Sequence, residues 1–266
     1  MKIGFIGAGN MATAIIGGLL LNDFAPADIH VYDMDMEKLK AFSEKGLTVE
    51  ESSEAVCSES DIIVLAVKPQ NYREVLVDIK ESAALEKTFV SIAAGITIDF
   101  VRENLELPCP VVRVMPNTPL LLSKGASALC PTDNVTEETL EVVKSMFESG
   151  GVVEILTEDK MDAVISVNGS SPAYFYLFAK AMADYAEKAG ISREVAMNLI
   201  CATMEGSAEM LRSSGDDPET LIKKVSSKGG TTIEALNVFY NNNLESIVCD
   251  AMSACTRRAS ELSKEA

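Results

Sequence analysis

The sequence predicts an α/β protein: a doubly wound, mostly parallel sheet followed by an all-helical domain. Short apolar runs rich in Val, Ile and Phe alternate with helix-like segments up to about residue 158. Beyond that point the strand runs stop and one helical stretch follows another. A glycine-rich turn directly after the first run then specifies the kind of sheet domain. The boundary is expected near residue 160, giving domains of 1–160 and 161–266.

Taken in order, Lys2 to Ile6 is a β-prone run, and the glycine turn after it leads into a helix from about Met11. IHVYD forms a second strand ending at Asp33, with the helical stretch MEKLKAFSEKG behind it. Asp61 to Val67, DIIVLAV, is continuously apolar, as a strand buried on both faces must be. Thr88 to Gly95 and Cys109 to Asn117 repeat the pattern, and GASALCP and GVVEIL add two strands around a helix at about residues 136–148.

In the helical half, SSPAYFYLFAKAMADYAEKAG reads as a helix with Ser170 and Ser171 at its cap, Pro172 in its first turn and Gly190 as terminator. SREVAMNLICATMEGSAEMLRSSG, DPETLIKKVSS, TTIEALNVFY and LESIVCDAMSACTRRASELSK supply further helices. The first two are apolar on more than one face, Tyr174, Phe175, Tyr176 and Phe178 included. A domain of roughly 100 helical residues does not need that much apolar surface, so a second subunit is expected to cover part of it.

The chain has 266 residues, 40 acidic and 23 basic, for a net charge of −17. Such a surface repels nucleic acid and anionic membranes. MATAIIGGLLL is too short to span a bilayer and no signal peptide is read, so a cytoplasmic protein is expected. Six scattered cysteines without a CxxC pair, and a single histidine, His30, argue against a metal site or a disulfide framework. His30 lies on the second strand and is read as structural.

Gly7, Gly9 and Ala12 fill the G-x-G-x-x-G/A pattern as GAGNMA. The first glycine permits the turn, the second lets backbone approach a pyrophosphate, and the small third residue lets helix pack on strand. The motif follows a strand and opens an apolar helix, the context that a Rossmann-type dinucleotide site requires. Asp33 ends the second strand, where a carboxylate accepts hydrogen bonds from ribose hydroxyls and repels a 2′-phosphate. That favours NADH over NADPH; a helix cap or a surface acid, with Asp35 equally placed, is the alternative. AVKPQ, with Ala66, Val67, Lys68 and Pro69, and MPNTP, with Asn117 and Thr118, each lie beyond a strand's C-terminal end, where such sheets bind ligands. Ordinary turn chemistry accounts for them equally well.

SSKGGTTIEALN interrupts the helical half with adjacent glycines and small hydroxyls. A helix starting near Thr231 behind that loop exposes consecutive backbone N–H groups, which suit a small carboxylate. The alternative is a plain cap with a flexible glycine pair.

GFIGAGNMA, AVKPQ, SIAAGI, RVMPNTP, GSSPAY and SSKGGTTIEAL, in that order, resemble the Δ1-pyrroline-5-carboxylate reductases over essentially the whole chain. The resemblance implies reduction of a cyclic imine to L-proline with NADH or NADPH. It also implies an interlocked homodimer, which some members assemble further into decamers of five dimers. It places Gly7, Ala8, Gly9, Asn10 and Met11 on the pyrophosphate, and Ala66, Val67, Lys68 and Pro69 along the nicotinamide ribose. Asn117 and Thr118 would sit near the nicotinamide. Ser227, Gly229, Gly230, Thr231 and Thr232 would receive the substrate, with its carboxylate on the N–H groups of Gly230, Thr231 and Thr232. The Thr232 hydroxyl, the one catalytic group implied, would face the imine nitrogen. Two departures stand out: Lys228 replaces a common proline, and Asp33 stands where many NADPH-preferring members have a small or basic residue.

Hydride transfer to C=N needs a protonated imine, a positioned nicotinamide and little else. A chain whose single histidine lies in the nucleotide half fits that chemistry better than carbonyl reduction, which must protonate an alkoxide. The competing readings are a reductase of another cyclic imine or of a small keto or hydroxy acid, and a dinucleotide-binding redox sensor. The hydroxyacid dehydrogenases of this plan carry a lysine in the helix that opens the second domain, and SSPAYFYLF has none.

Overall fold

A computed structural model describes residues 1–265. Its elements are β1 (Ile3–Ile6), α1 (Asn10–Leu21), β2 (Ile29–Tyr32), α2 (Met36–Ser43), β3 (Thr48–Val49), α3 (Ser53–Glu59), β4 (Ile62–Leu65), α4 (Tyr72–Ile79), β5 (Thr88–Ser91), α5 (Ile98–Leu105), β6 (Val111–Met115), β7 (Gly125–Pro131), α6 (Glu137–Glu148) and β8 (Gly151–Ile155). After β8 come α7 (Glu158–Val164), a π-helical turn (Ile165–Gly169), α8 (Ser171–Lys188), α9 (Arg193–Ser213), α10 (Pro218–Val225), α11 (Thr231–Asn241) and α12 (Leu244–Glu265).

The strands form one sheet in the order β3-β2-β1-β4-β5-β6-β7-β8. The first six positions are the doubly wound order, and it reverses between β1 and β4, where such sheets bind ligands. All pairs are parallel except β6 with β7, where Val112 faces Pro131 and Met115 faces Ala128. The sheet is therefore mixed: β7 and β8, parallel to each other, run against the rest.

Alternation along the strands explains the two layers of helix. Ile3, Phe5, Ile62 and Val64 enter one core with Ile15, Ile16 and Phe147 of α1 and α6. Ile6, Ile63 and Leu65 enter the other with Val56, Leu76 and Val101 of α3, α4 and α5. The expected continuously apolar strands follow directly, since both faces are covered.

Packing divides the chain into two compact units, Met1–Pro172 with the segment from Ala254 onward, and Ala173–Ser253. The last strand ends at Ile155, consistent with where the strand runs stop in the sequence. The end of α12 belongs to the sheet unit by specific bonds. Asp162 on α7 accepts from Arg113 on β6 at 2.7 Å, and from the hydroxyls of Ser260 and Ser263 at 3.0 and 3.2 Å. Burial pushes the Asp162 carboxyl up, but Arg113 and the serine donors outweigh it and hold the carboxyl below its ordinary value.

Ser170 does not begin a helix as expected. It lies in right-handed helical conformation (φ −96°, ψ −23°), its N–H donating to the Ile165 carbonyl at 2.8 Å, so the chain is helical almost without a break from Glu158 to Lys188. Pro172 has no N–H to give the Asn168 carbonyl four residues earlier. The side chain of Asn117 supplies that donor instead, at 3.2 Å. Gly190 does end α8, in the left-handed region (φ +88°).

In the second unit Ala179, Ala183, Ala196 and Ile200 form a small core between α8 and α9. Many larger apolar side chains stay outside it: Phe175, Tyr176, Leu177 and Tyr185 on α8 are 56–73% exposed. The Phe178 ring lies 6.0 Å from that of Phe239, centre to centre, and is itself exposed. No helix among the described residues is long and apolar enough to cross a membrane.

Candidate active site

The turn after β1 is built as the glycine pattern requires. Gly7 has φ +105°, and a Cβ there would lie 2.7 Å from the Ala66 carbonyl oxygen, so only glycine lets β1 and β4 approach so closely. Gly9, at the N-cap of α1, is ordinary extended backbone (φ −79°, ψ −176°), and a Cβ there meets nothing within 4 Å. Its lack of a side chain therefore leaves space open rather than relieving a clash. Ala12 is fully buried against the core.

A groove of about 520 Å³ opens at this point. Of the residues singled out from sequence, it brings together Gly7, Gly9, Asp33, Ala66, Val67 and Lys68. Asn10 and Met11 open α1 beside it, and Pro69 starts a 3-10 turn over Pro69–Asn71. Tyr72 fixes the base of that loop: its buried hydroxyl donates to the Leu65 carbonyl at the end of β4 at 2.5 Å. Sequence reasoning missed Lys38, Ser52, Glu54, Asn71, Glu74 and Asp78, which also line the groove. They are polar residues at helix starts and on exposed helix faces, where no periodic pattern marks them; only Ser52, the side-chain cap of α3, carries a local signal.

Asp33 and Asp35 have separate jobs. Asp35 caps α2, accepting from the Glu37 N–H at 3.1 Å. Asp33 ties the end of β2 to the glycine turn: one oxygen accepts from the Ala8 N–H at 2.7 Å and the other from the Asp35 N–H at 2.9 Å. Lys38 stands 3.3 Å away. Burial raises the Asp33 carboxyl, but the Ala8 and Asp35 donors and Lys38 outweigh it and hold it below its ordinary value.

The same bonds revise the expected phosphate contacts. The Gly7 N–H is donated to the Tyr32 carbonyl at 2.8 Å and the Ala8 N–H to Asp33, so neither faces outward. The donors left for an anion are those that open α1, on Asn10, Met11 and Ala12. With the open space at Gly9, they fit a dinucleotide pyrophosphate.

Asn117 and Thr118 do not line the groove. The Asn117 side chain is buried and committed to the framework: it accepts from the Ala126 N–H at 2.9 Å and donates to Asn168. Asn168 in turn donates to the carbonyls of Met115 and Ala126, at 2.7 and 2.9 Å. The two amides stitch the end of β6, the start of β7 and the π turn together. His30 is likewise internal, buried with Nδ1 2.6 Å from Glu50.

In the second unit the loop before α11 is a closed turn. The Gly230 N–H donates to the Ser227 carbonyl at 2.9 Å, and Gly229 takes φ +72°. That is a type II arrangement with Lys228 at its second position, where proline is favoured. The Gly230 N–H, expected on the carboxylate, is thus used to close the turn. Thr231, Thr232 and Ile233 keep the unpaired donors of the helix start, because Gly230 at the N-cap offers no side chain. Six other helices, α2, α3, α5, α6, α9 and α10, carry a side-chain cap. Glycine stands at the N-cap, without such a bond, only at α1 and α11 among the described caps.

Comparison with known proteins matches these features to one family. Residues 158–262 match a model described as pyrroline-5-carboxylate reductase dimerisation, and residues 2–95 one described as NADP oxidoreductase, coenzyme F420-dependent. A pyrroline-5-carboxylate reductase of Escherichia coli (strain K12) is 38% identical over 265 residues, covering 99% of this chain and 98% of that protein. A solved pyrroline-5-carboxylate reductase from Coxiella burnetii is 33% identical with a TM-score of 0.91, over 98% of both chains. The Plasmodium falciparum pyrroline carboxylate reductase, solved with NADP bound, is 30% identical with a TM-score of 0.89, over 99% of this chain and 98% of that one. Identity of this level over the full length of the relatives, with the same fold, means that the chain belongs to the pyrroline-5-carboxylate reductase family.

Proposed function

We propose that this chain reduces Δ1-pyrroline-5-carboxylate to L-proline, with a nicotinamide dinucleotide as hydride donor and NADH favoured over NADPH. The observation that carries this is the pairing of two glycine-led, side-chain-free helix starts with full-length membership of the family. A helix start without a cap presents several backbone donors and the positive end of the helix dipole to an anion. One such start suits a pyrophosphate, the other a small carboxylate.

The cofactor, when bound, supplies a hydride from its nicotinamide. Asn10, Met11 and Ala12 would hold the pyrophosphate by backbone N–H groups, with Asp33 at the adenosine ribose and Ala66 to Pro69 along the nicotinamide ribose. Asn117, with Asn168, sets the loop beyond β6, and Thr118 stands exposed on that loop. Thr231 and Thr232 bind the substrate carboxylate by their N–H groups, beside Ser227 and Gly229 of the turn. The Thr232 hydroxyl would hydrogen-bond the ring nitrogen, which takes its proton from solvent, and so hold the carbon of the C=N bond in place for a hydride from a bound nicotinamide. Purified protein given the imine and NADH is expected to oxidise NADH and yield proline; no turnover with either cofactor would contradict the reading.

The cofactor preference follows from charge. Asp33, Glu54, Glu74 and Asp78 line the groove against Lys38 and Lys68, so a 2′-phosphate enters a negative field. Asp33→Ala is expected to lower activity with both cofactors, because it frees the Ala8 N–H. It should also move the NADH:NADPH ratio of kcat/KM about tenfold towards NADPH, by removing a like-charge contact. Initial rates with both cofactors check this, and an unchanged ratio would remove the ribose role.

Lys228→Pro is expected to raise stability by about 0.4–1 kcal/mol, since proline restricts the unfolded chain at a position whose native geometry it fits. It should also lower KM for the imine by holding the turn. A thermal melt and KM check this; a lower Tm would show that the Lys228 backbone does not fit proline.

Self-association completes the reading. Phe175, Tyr176, Leu177 and Tyr185 are large apolar side chains left exposed on one helix, α8, and clustered exposed apolar surface marks a protein–protein contact. A second copy covering it, in an interlocked homodimer, accounts for that exposure.

A further inference from the structure

We propose that Lys38 is a specificity-determining residue, and that the Lys38–Asp33 pair, rather than Asp33 alone, decides whether this groove admits a 2′-phosphate. The inference rests on reading the groove as the dinucleotide site. Asp33 is fixed. Its two oxygens accept the Ala8 and Asp35 N–H groups at 2.7 and 2.9 Å, so the carboxylate cannot swing away from a phosphate on the neighbouring ribose. Repulsion can therefore be relieved only by a cation within reach of the same spot.

Two ammonium groups line the groove, those of Lys38 and Lys68. Lys38 alone lies on Asp33, 3.3 and 3.5 Å from its two oxygens, and it also stands 3.8 Å from Asp35. Its side chain is 45% exposed against 15% for Asp33. The partner that is held and buried is the acid, and the partner that can move is the base. Lysine carries three rotatable donors on a flexible stem. With an unphosphorylated ribose, Lys38 shares Asp33 with the ribose hydroxyls: two backbone donors and the ammonium group already reach both oxygens, so a hydroxyl gains its acceptor where the ammonium group gives way. With a 2′-phosphate, Lys38 turns onto the phosphate and screens it from Asp33. A groove that favours NADH through Asp33 thereby still accepts NADPH through Lys38.

The test is calorimetric titration of the full-length protein with adenosine 2′,5′-bisphosphate and with adenosine 5′-monophosphate, for wild type, Lys38→Gln and Lys38→Arg. Lys38→Gln is expected to weaken the bisphosphate relative to the monophosphate by about tenfold or more, and Lys38→Arg to restore most of that ratio. In steady-state kinetics the NADPH:NADH ratio of kcat/KM should fall in parallel in Lys38→Gln. A bisphosphate:monophosphate ratio within about twofold of wild type in Lys38→Gln would overturn the role of Lys38 while leaving the dinucleotide site standing. If the wild-type protein binds neither nucleotide, the groove is not the dinucleotide site and both readings fall together.

Discussion

Gly9→Val is expected to weaken NADH binding by at least about 100-fold, roughly 3 kcal/mol, while leaving the fold intact. The backbone at Gly9 suits any residue, with φ −79° and ψ −176°, and the added side chain meets no protein atom within 4 Å of its Cβ. The Cβ therefore adds no internal clash. The branched side chain instead fills the space in front of the donors that open α1. Gly7→Ala is a different experiment, since φ +105° and the Ala66 carbonyl at 2.7 Å make that change a strain on the sheet itself. Calorimetric binding of NADH together with a thermal melt separates the two cases. Wild-type affinity in Gly9→Val would mean that the pyrophosphate does not lie against this helix start.

Gly230→Ala should have the second large effect, a fall of roughly 100-fold in kcat/KM for the imine with NADH binding retained, the size expected when a reacting group is misplaced by about 1 Å. Gly230 has permissive backbone angles, φ −83° and ψ 166°. Its Cβ, however, would collide with the Ser227 hydroxyl and come within 3.1 Å of the Ser227 carbonyl, the acceptor of Gly230's own N–H. Ser227 must turn and the closing bond must lengthen. The N–H groups of Thr231 and Thr232, which follow directly, then shift with the turn. Unchanged KM and kcat for the imine in a folded Gly230→Ala protein would remove the loop from the substrate site.

Most of the strands and the glycine turn were legible because both rest on local chemistry: apolar runs, and a backbone that only glycine can follow. Strand ends were less so. The run from Ile62 to Val67, behind Asp61, is apolar throughout, yet β4 stops at Leu65, where the chain leaves the sheet to form the groove wall. The helices α3, α4 and α5 escaped notice; each has only seven or eight residues, which gives a period of 3.6 little length to show, though α2 and α10 are as short and were read.

Four expected site residues share a feature. Gly7, Ala8 and Gly230, expected to hold ligand through the backbone, and Asn117, expected near the nicotinamide, each commit a donor inside the protein. A motif identifies which residues surround a ligand, but backbone and amide donors are allotted by the whole fold. Asn117 is the clearest case. Its partner is a carbonyl left open by Pro172, 55 positions along the chain, and no local pattern connects them. Lys38 was missed for a similar reason: in sequence it is one of several charges on a surface helix, and only the folded turn of α2 brings it onto Asp33.

The most direct test of the central chemistry is mass analysis of proline formed from Δ1-pyrroline-5-carboxylate and NADH carrying deuterium at both C4 positions. Proline with one deuterium at Cδ, the carbon of the former C=N bond, and none at Cα, formed one for one with NADH consumed, is the expected result. Unlabelled proline, or labelled NADH left unoxidised in the presence of the imine, would contradict hydride transfer from a nicotinamide to this C=N bond.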